Sequence, residues 1–144
     1  AVRAFNHLLG ECGVTVFATD AQAERYRRGF PRSLDGAPFV LPTPNSALRR
    51  SLDAWFESQA ARPVVTAEVE DVALLQVLGG DGLGLFAAPS VVEAAIRRQY
   101  GVKVVGRLDA VRQRFYAISI DRKLRHPAVV ALSRAARTEL FADE

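Results

Sequence analysis

Pro38-Phe39-Val40-Leu41-Pro42-Thr43-Pro44-Asn45-Ser46-Ala47-Leu48-Arg49-Arg50-Ser51-Leu52-Asp53-Ala54-Trp55-Phe56 is the stretch on which the fold turns. Pro38 to Leu41 is a short apolar run between breakers, as expected of a buried strand. The prolines at 42 and 44 keep their neighbours extended, and Asn45 or Ser46 then caps a helix. Leu48, Leu52, Trp55 and Phe56 fall at i, i+4, i+7 and i+8, which is one apolar stripe. Arg49, Arg50, Asp53 and Glu57 take the wet side. Pro63 to Val69 is rich in β-branched residues and predicts the next strand, so the stretch opens a strand–helix–strand unit.

The same alternation continues in both directions. Upstream, Gly13 to Ala18 predicts a strand, and Asp20 can cap a short helix that ends near Gly29. Downstream, Asp71 can cap a helix with Val72, Leu75 and Leu78 inward, stopped at Gly79-Gly80-Asp81-Gly82. Leu83 to Ala88 predicts a strand. Ser90 and Glu93 have capping-box spacing ahead of a helix that ends at Gly101. Val102 to Arg107 and Arg112 to Ile120 predict two further strands, and Pro127 opens a last helix to about Phe141. Such alternation predicts an α/β fold, a mostly parallel sheet with helices on both faces. Ligands of open sheets of this kind sit beyond the carboxyl ends of the strands.

The chain of 144 residues is one domain or one large piece of one, and it is long enough to bury a core. It has no apolar run of membrane-spanning length and no secretory signal pattern. It also has no Met, which predicts an internal start within a longer protein. The net charge of +3 and the pI near 9.5 raise nucleic-acid binding. Yet the clusters Arg25-Tyr26-Arg27-Arg28 and Arg122-Lys123-Leu124-Arg125 are short, and elsewhere bases alternate with acids, so solvated faces are expected. The single Cys12 fits a small buried hydrophobe beside Gly13; the alternative is a redox sensor.

Few residues carry chemistry. Gly80-Asp81-Gly82-Leu83-Gly84 follows a helix and opens a strand, the reverse of a dinucleotide fingerprint, so no nucleotide is expected there. His7 and His126 are the only imidazoles, with no nucleophile elbow and no His/Cys cluster for a metal. His126 is expected at a helix start. Asp20, Glu68, Glu70 and Asp71 lie at predicted strand ends, where carboxylates could do acid–base work or hold a hard cation; Asp20 and Asp71 could equally be plain N-caps. Glu70 and Asp71 are therefore weak metal candidates. Thr43, Pro44, Asn45 and Ser46 combine a strand end, polar side chains and a helix start. Either an anion or polar small molecule binds there, or the segment is an ordinary cap.

These residues also carry a family resemblance. Asp35 to Leu41 followed by Asn45 to Arg49 resembles the strand-then-helix of LysR-type effector domains, and Leu78 to Pro89 is similar to that family's glycine-rich passage. The resemblance spans roughly Gly10 to Phe141. Phe30 to Pro38, Leu48 to Phe56, Arg114 to Ser119 and His126 to Val129 are similar to the NhaR-like subgroup, activators of sodium/proton antiporter genes that respond to sodium or lithium.

The resemblance implies a Rossmann-like lobe of a periplasmic-binding-protein-like (type 2) effector domain. Residues 13–107 would form the second lobe and 115–141 would return to the first. The front of the first lobe and the DNA-binding helix-turn-helix are expected to lie outside this chain, so DNA would be bound through that N-terminal domain. The implied protein is a cytoplasmic homodimer or homotetramer that binds a small effector at the positions of Thr43, Pro44, Asn45 and Ser46. It is not an enzyme and has no cofactor. A solute-binding protein of a transport system and a small α/β enzyme are the alternatives, distinguished by a secretory signal in the full gene and by loss of activity on changing Glu70 or Asp71.

Overall fold

The computed structural model describes residues 4–119 and Arg134. The strand and helix elements, in order, are β1 (Phe5–Ala18), α1 (Asp20–Arg27), β2 (Pro38–Pro42), α2 (Ala47–Ser58), β3 (Val64–Val69), α3 (Val72–Gly80), β4 (Phe86–Pro89), α4 (Glu93–Tyr100) and β5 (Lys103–Ser119). Short 3-10 turns cover Arg32–Leu34 and Ser90–Val92. The expected last helix from Pro127 to Phe141, His126, and most of the segment 115–141 lie outside the described residues.

The chain divides into two compact units, Gly13–Val111 and the combination of Ala1–Cys12 with Arg112–Glu144. It passes from one to the other inside β1 and returns inside β5. In the smaller unit, the Glu11 carboxylate takes a 3.0 Å bond from Arg114 Nε and pairs with Arg112 at 3.5 Å. Burial alternates along its part of β5, with Tyr116 and Ile118 exposed and Phe115 and Ala117 partly covered.

The larger unit holds the core. β2 and β3 pair in parallel, from Pro38 opposite Val64 to Pro42 opposite Val69. A parallel bridge joins Phe39 to Leu85 just ahead of β4. β4 pairs antiparallel with β1, Val14 opposite Pro89, and β5 flanks β1 on its other side. The expectation of a mostly parallel sheet is thus corrected: the β2–β3 ladder and the Phe39–Leu85 bridge are parallel, but β1 is set antiparallel to β4. The physical reason is that periodicity marks strands and helices but not strand direction. Parallel and antiparallel ladders both satisfy the backbone, with the same alternation of side chains.

Alternate residues of the strands point to opposite faces. Val14, Val16, Phe39, Leu41, Leu85 and Ala87 join Ala23 of α1 and Leu52 and Phe56 of α2 in one cluster. Phe17, Val40, Phe86 and Ala88 join Leu75 of α3 and Ile96 of α4 in the other. Helices therefore cover both faces. In α3, Leu75 is buried and Leu78 packs on its cluster, whereas Val72, expected inward, is 67% exposed at the first turn.

Two strands are longer than their sequence predicts. The strands expected at Val102 to Arg107 and Arg112 to Ile120 are one continuous strand over the described residues Lys103–Ser119, since nothing between them breaks an extended chain. β1 begins well before Gly13. That glycine is not a break: it lies inside β1, where a Cβ would meet the Asp109 backbone at an ordinary contact distance of 3.4 Å. The glycine run after α3 has a structural use. Gly82 adopts φ +93°, and a Cβ on Gly84 would meet the Phe39 amide nitrogen at 2.9 Å, where β2 and the start of β4 come together.

Candidate functional site

The register gathers the polar strand ends at one edge of the larger unit. Pro42 lies opposite Val69, so the segments Thr43–Ser46 and Glu70–Asp71 leave β2 and β3 side by side. β4 is parallel to β2 through the Phe39–Leu85 bridge and ends at Pro89, so Ser90 leaves at the same edge. The antiparallel β1 begins its pairing there, with Val14 beside Pro89.

At the β2 end, Ser46 is the N-cap of α2, its Oγ accepting from the Arg49 amide at 3.2 Å. Such a cap contributes about 1 kcal/mol. The Thr43 hydroxyl donates to Asn45 Oδ1 at 2.7 Å, and the Ser46 amide closes the turn on the Thr43 carbonyl at 3.0 Å. Thr43 and Ser46 are half-buried, while Pro44 and Asn45 are exposed. The Asn45 side-chain NH2 has no partner among the described residues. The first-turn amides of Ala47 and Leu48 have no intrahelical acceptor. Arg49 fixes this corner. Its guanidinium donates to the Pro42 carbonyl at 2.9 Å and to Asp53 at 3.0 Å, and it pairs with Glu68 of β3. Glu68 thereby becomes a structural partner.

The other carboxylates divide. Asp71 Oδ1 accepts from the Leu74 amide at 2.8 Å and caps α3, one of its two sequence readings. Glu70 is exposed. Asp20 does not cap α1; Thr19 does, and Asp20 is the first helical residue. Among the described residues no three His, Cys, Asp or Glu side chains gather as a metal-ligand group. Cys12 is fully buried.

Sequence reasoning missed a second polar cluster at this edge. Thr15 is fully buried, and its hydroxyl lies 2.8 Å from Ser90 Oγ and 2.9 Å from Glu93 Oε2. Arg107 of β5 clasps Glu93 through Nε at 3.1 Å and Nη2 at 2.6 Å. The expected Ser90–Glu93 capping box does not form. α4 begins at Glu93 without a side-chain cap, and Thr15 and Arg107 hold the two side chains instead. The one visible signal was a hydroxyl residue inside the otherwise apolar run Val14-Thr15-Val16. A buried hydroxyl needs a partner.

Burial pushes the Glu93 carboxyl up, but bonds from Arg107 and Thr15 and the charges of Arg107 and Arg97 together hold it below its ordinary 4.5. The folded protein therefore binds this proton less readily than the unfolded chain. The stabilisation is present above pH 4.5 and is lost as the pH falls through the folded value. Glu93→Gln is expected to remove part of this loss. The urea midpoint of the wild type should fall further between pH 6 and about pH 3 than that of the variant. Equal falls would mean that the cluster contributes nothing to acid sensitivity.

Solved structures share this architecture. The regulatory domain of CcmR from Synechocystis PCC6803, in complex with 2-PG, superposes with a TM-score of 0.66 at 11% identity, covering 96% of this chain and 68% of that one. The X-ray structure of the effector domain of the transcriptional regulator AmpR of Pseudomonas aeruginosa does so with a TM-score of 0.68 at 15% identity, covering 95% and 66%. The fold is that of a type 2 periplasmic-binding-like effector domain. The LysR substrate binding domain model matches residues 5–140, and the chain belongs to that family. It is 30% identical over 137 residues to the transcriptional activator protein NhaR of Escherichia coli (strain K12). That match covers 95% of this chain and 44% of NhaR, so the chain spans less than half the length of this relative.

Proposed function

We propose that this chain is the ligand-sensing part of a LysR-type transcriptional activator, working in the cytoplasm as a homodimer or homotetramer. Residues 13–107 serve as its second lobe and 115–141 lead back to the first. Operator sequence is read by an N-terminal helix-turn-helix outside these residues. Catalysis is not part of this reading, because the family is one of transcriptional regulators. Among the described residues no helix is long and apolar enough to cross a membrane.

The observation that carries the proposal is the open face of the Thr43–Ser46 turn. An exposed amide, two hydroxyls and the amides of a helix start meet there beside the ends of β3 and β4. This chemistry suits a polar or anionic small molecule held by Thr43, Asn45 and Ser46, with Pro44 shaping the turn. The resemblance to NhaR-like activators makes sodium or lithium the cations to test, with control of a sodium/proton antiporter gene as the output. A helix start repels cations. Backbone carbonyls with Glu70 or Asp71 are then the better ligands, and Asp71 has one oxygen already committed to Leu74. An effector acts only through different affinities for two states of the regulator.

The test is the melting temperature of the chain, extended N-terminally through the first lobe, in sodium, lithium, potassium and choline chlorides at equal ionic strength. A ligand of the native state alone raises stability once its concentration exceeds its Kd. The expected result is a rise in sodium or lithium that is absent in potassium and is weakened by Asn45→Ala or Glu70→Gln. Identical melting in all four salts would overturn cation sensing by this domain and leave an organic effector to be sought.

A further inference from the structure

Arginines far apart in sequence converge on one open face of the larger unit. Arg27 ends α1, Arg97 and Arg98 lie in the last turn of α4, and Lys103 opens β5. Two adjoining surface concavities share Arg97 and Lys103; one adds Arg98, the other Arg27 and Arg107. Some of this charge is already committed. Arg27 donates through Nε and Nη2 to the Val104 carbonyl at 3.2 and 2.8 Å, which pins α1 to β5, and Arg107 is paired with Glu93. Arg97, Arg98 and Lys103 are exposed and make no hydrogen bond or close ion pair among the described residues, though the Arg97 charge acts on Glu93 one turn earlier. Asp20 and Glu24 border the face only on the side where Arg27 and Lys103 meet α1.

We infer that Arg97, Arg98 and Lys103, flanked by Arg27, form a contact surface for the phosphate backbone of duplex DNA. The complement of α4's negative end explains a cation in its last turn. It does not explain Lys103, beyond the helix; Arg27, in the last turn of α1 and bonded to the Val104 carbonyl, borders the face with a structural role of its own. Protein interfaces are anchored by buried aromatic or aliphatic groups. Between its cations this face offers Ala94 and Gly101; Val102 and Val105 in its floor are buried and Val104 is half-buried, so no large apolar side chain stands out from it. Exposed cations without an apolar anchor suit a repeating polyanion, which they would position without reading its sequence. The choice of DNA rests on the regulator reading above, in which the whole protein holds DNA through its N-terminal domain. Base recognition stays with the N-terminal domain.

The test is fluorescence anisotropy of this chain with a labelled random-sequence duplex, as sodium chloride rises from 50 to 200 mM. Three phosphate contacts predict a log–log slope near −2.7 and a loss of about 40-fold over that range. Combined Arg97→Ala, Arg98→Ala and Lys103→Ala should weaken binding at least tenfold, with the melting temperature checked in parallel. Arg97→Lys with Arg98→Lys should keep most of it. If the triple variant does not fold, Arg98→Glu alone should give the same direction. Absence of binding at 50 mM salt, or an unchanged affinity in the folded variants, would overturn the inference. So would competition by polyglutamate as effective as unlabelled DNA, which would point to an acidic protein partner. None of these outcomes bears on effector sensing, which the melting experiment decides separately.

Discussion

Phe86→Ala is expected to destabilise the larger unit by about 3–5 kcal/mol, read as a fall in the urea midpoint at an unchanged slope. Phe86 is fully buried in β4 and stacks on Phe17 of β1 with ring centroids 5.4 Å apart. It sits in the cluster that joins α3 and α4 to the sheet. Truncation removes apolar surface from the core and leaves a cavity that surrounding strands cannot easily collapse into. A domain has only about 5–15 kcal/mol of stability in total, so this single change consumes a large share of it. A loss below about 1 kcal/mol would mean that the ring is not packed as described.

Gly79→Ala is the second large effect, and its sign runs against helix propensity. Gly79 lies in α3, where alanine is ordinarily the better helix former by about 1 kcal/mol. A Cβ there would overlap Cδ1 of Phe86 and stand 2.8 Å from Cγ and 2.9 Å from Cε1 of the same ring. The ring is fully buried and stacked, so it has little room to move. Overpacking of this kind costs about 1–3 kcal/mol, and the steric overlap should leave a net loss of about 2 kcal/mol. Combining Gly79→Ala with Phe86→Ala makes the two couple. The double variant should be more stable than the sum of the single losses predicts, because the methyl group fills part of the space the ring leaves. Stabilisation by Gly79→Ala alone would sink the close helix–strand packing.

The candidate site was only partly legible beforehand. The α2 cap, Ser46, and the α3 cap, Asp71, followed from local chemistry: a short oxygen-bearing side chain ahead of an apolar stripe. Glu68 looked like a free strand-end acid until Arg49 took it as a partner. Ser90 and Glu93 had the spacing of a capping box, yet Thr15, far upstream, took their side chains. Local spacing says which bonds can form within a turn. It cannot say that a buried hydroxyl on another strand competes for them.

Sequence alone determined the order of strands and helices from β1 to β5, though not all their bounds, and which residues of α2 turn inward, since Leu52 and Phe56 are indeed buried. These features depend on contacts within a few residues, and side-chain spacing encodes them directly. Tertiary structure decided the rest. The antiparallel setting of β1 beside β4 and the Thr15–Ser90–Glu93–Arg107 cluster join residues distant along the chain. Strand direction and long-range partners are selected by which arrangement buries both faces of the sheet and satisfies its buried polar groups, and no local pattern carries that information.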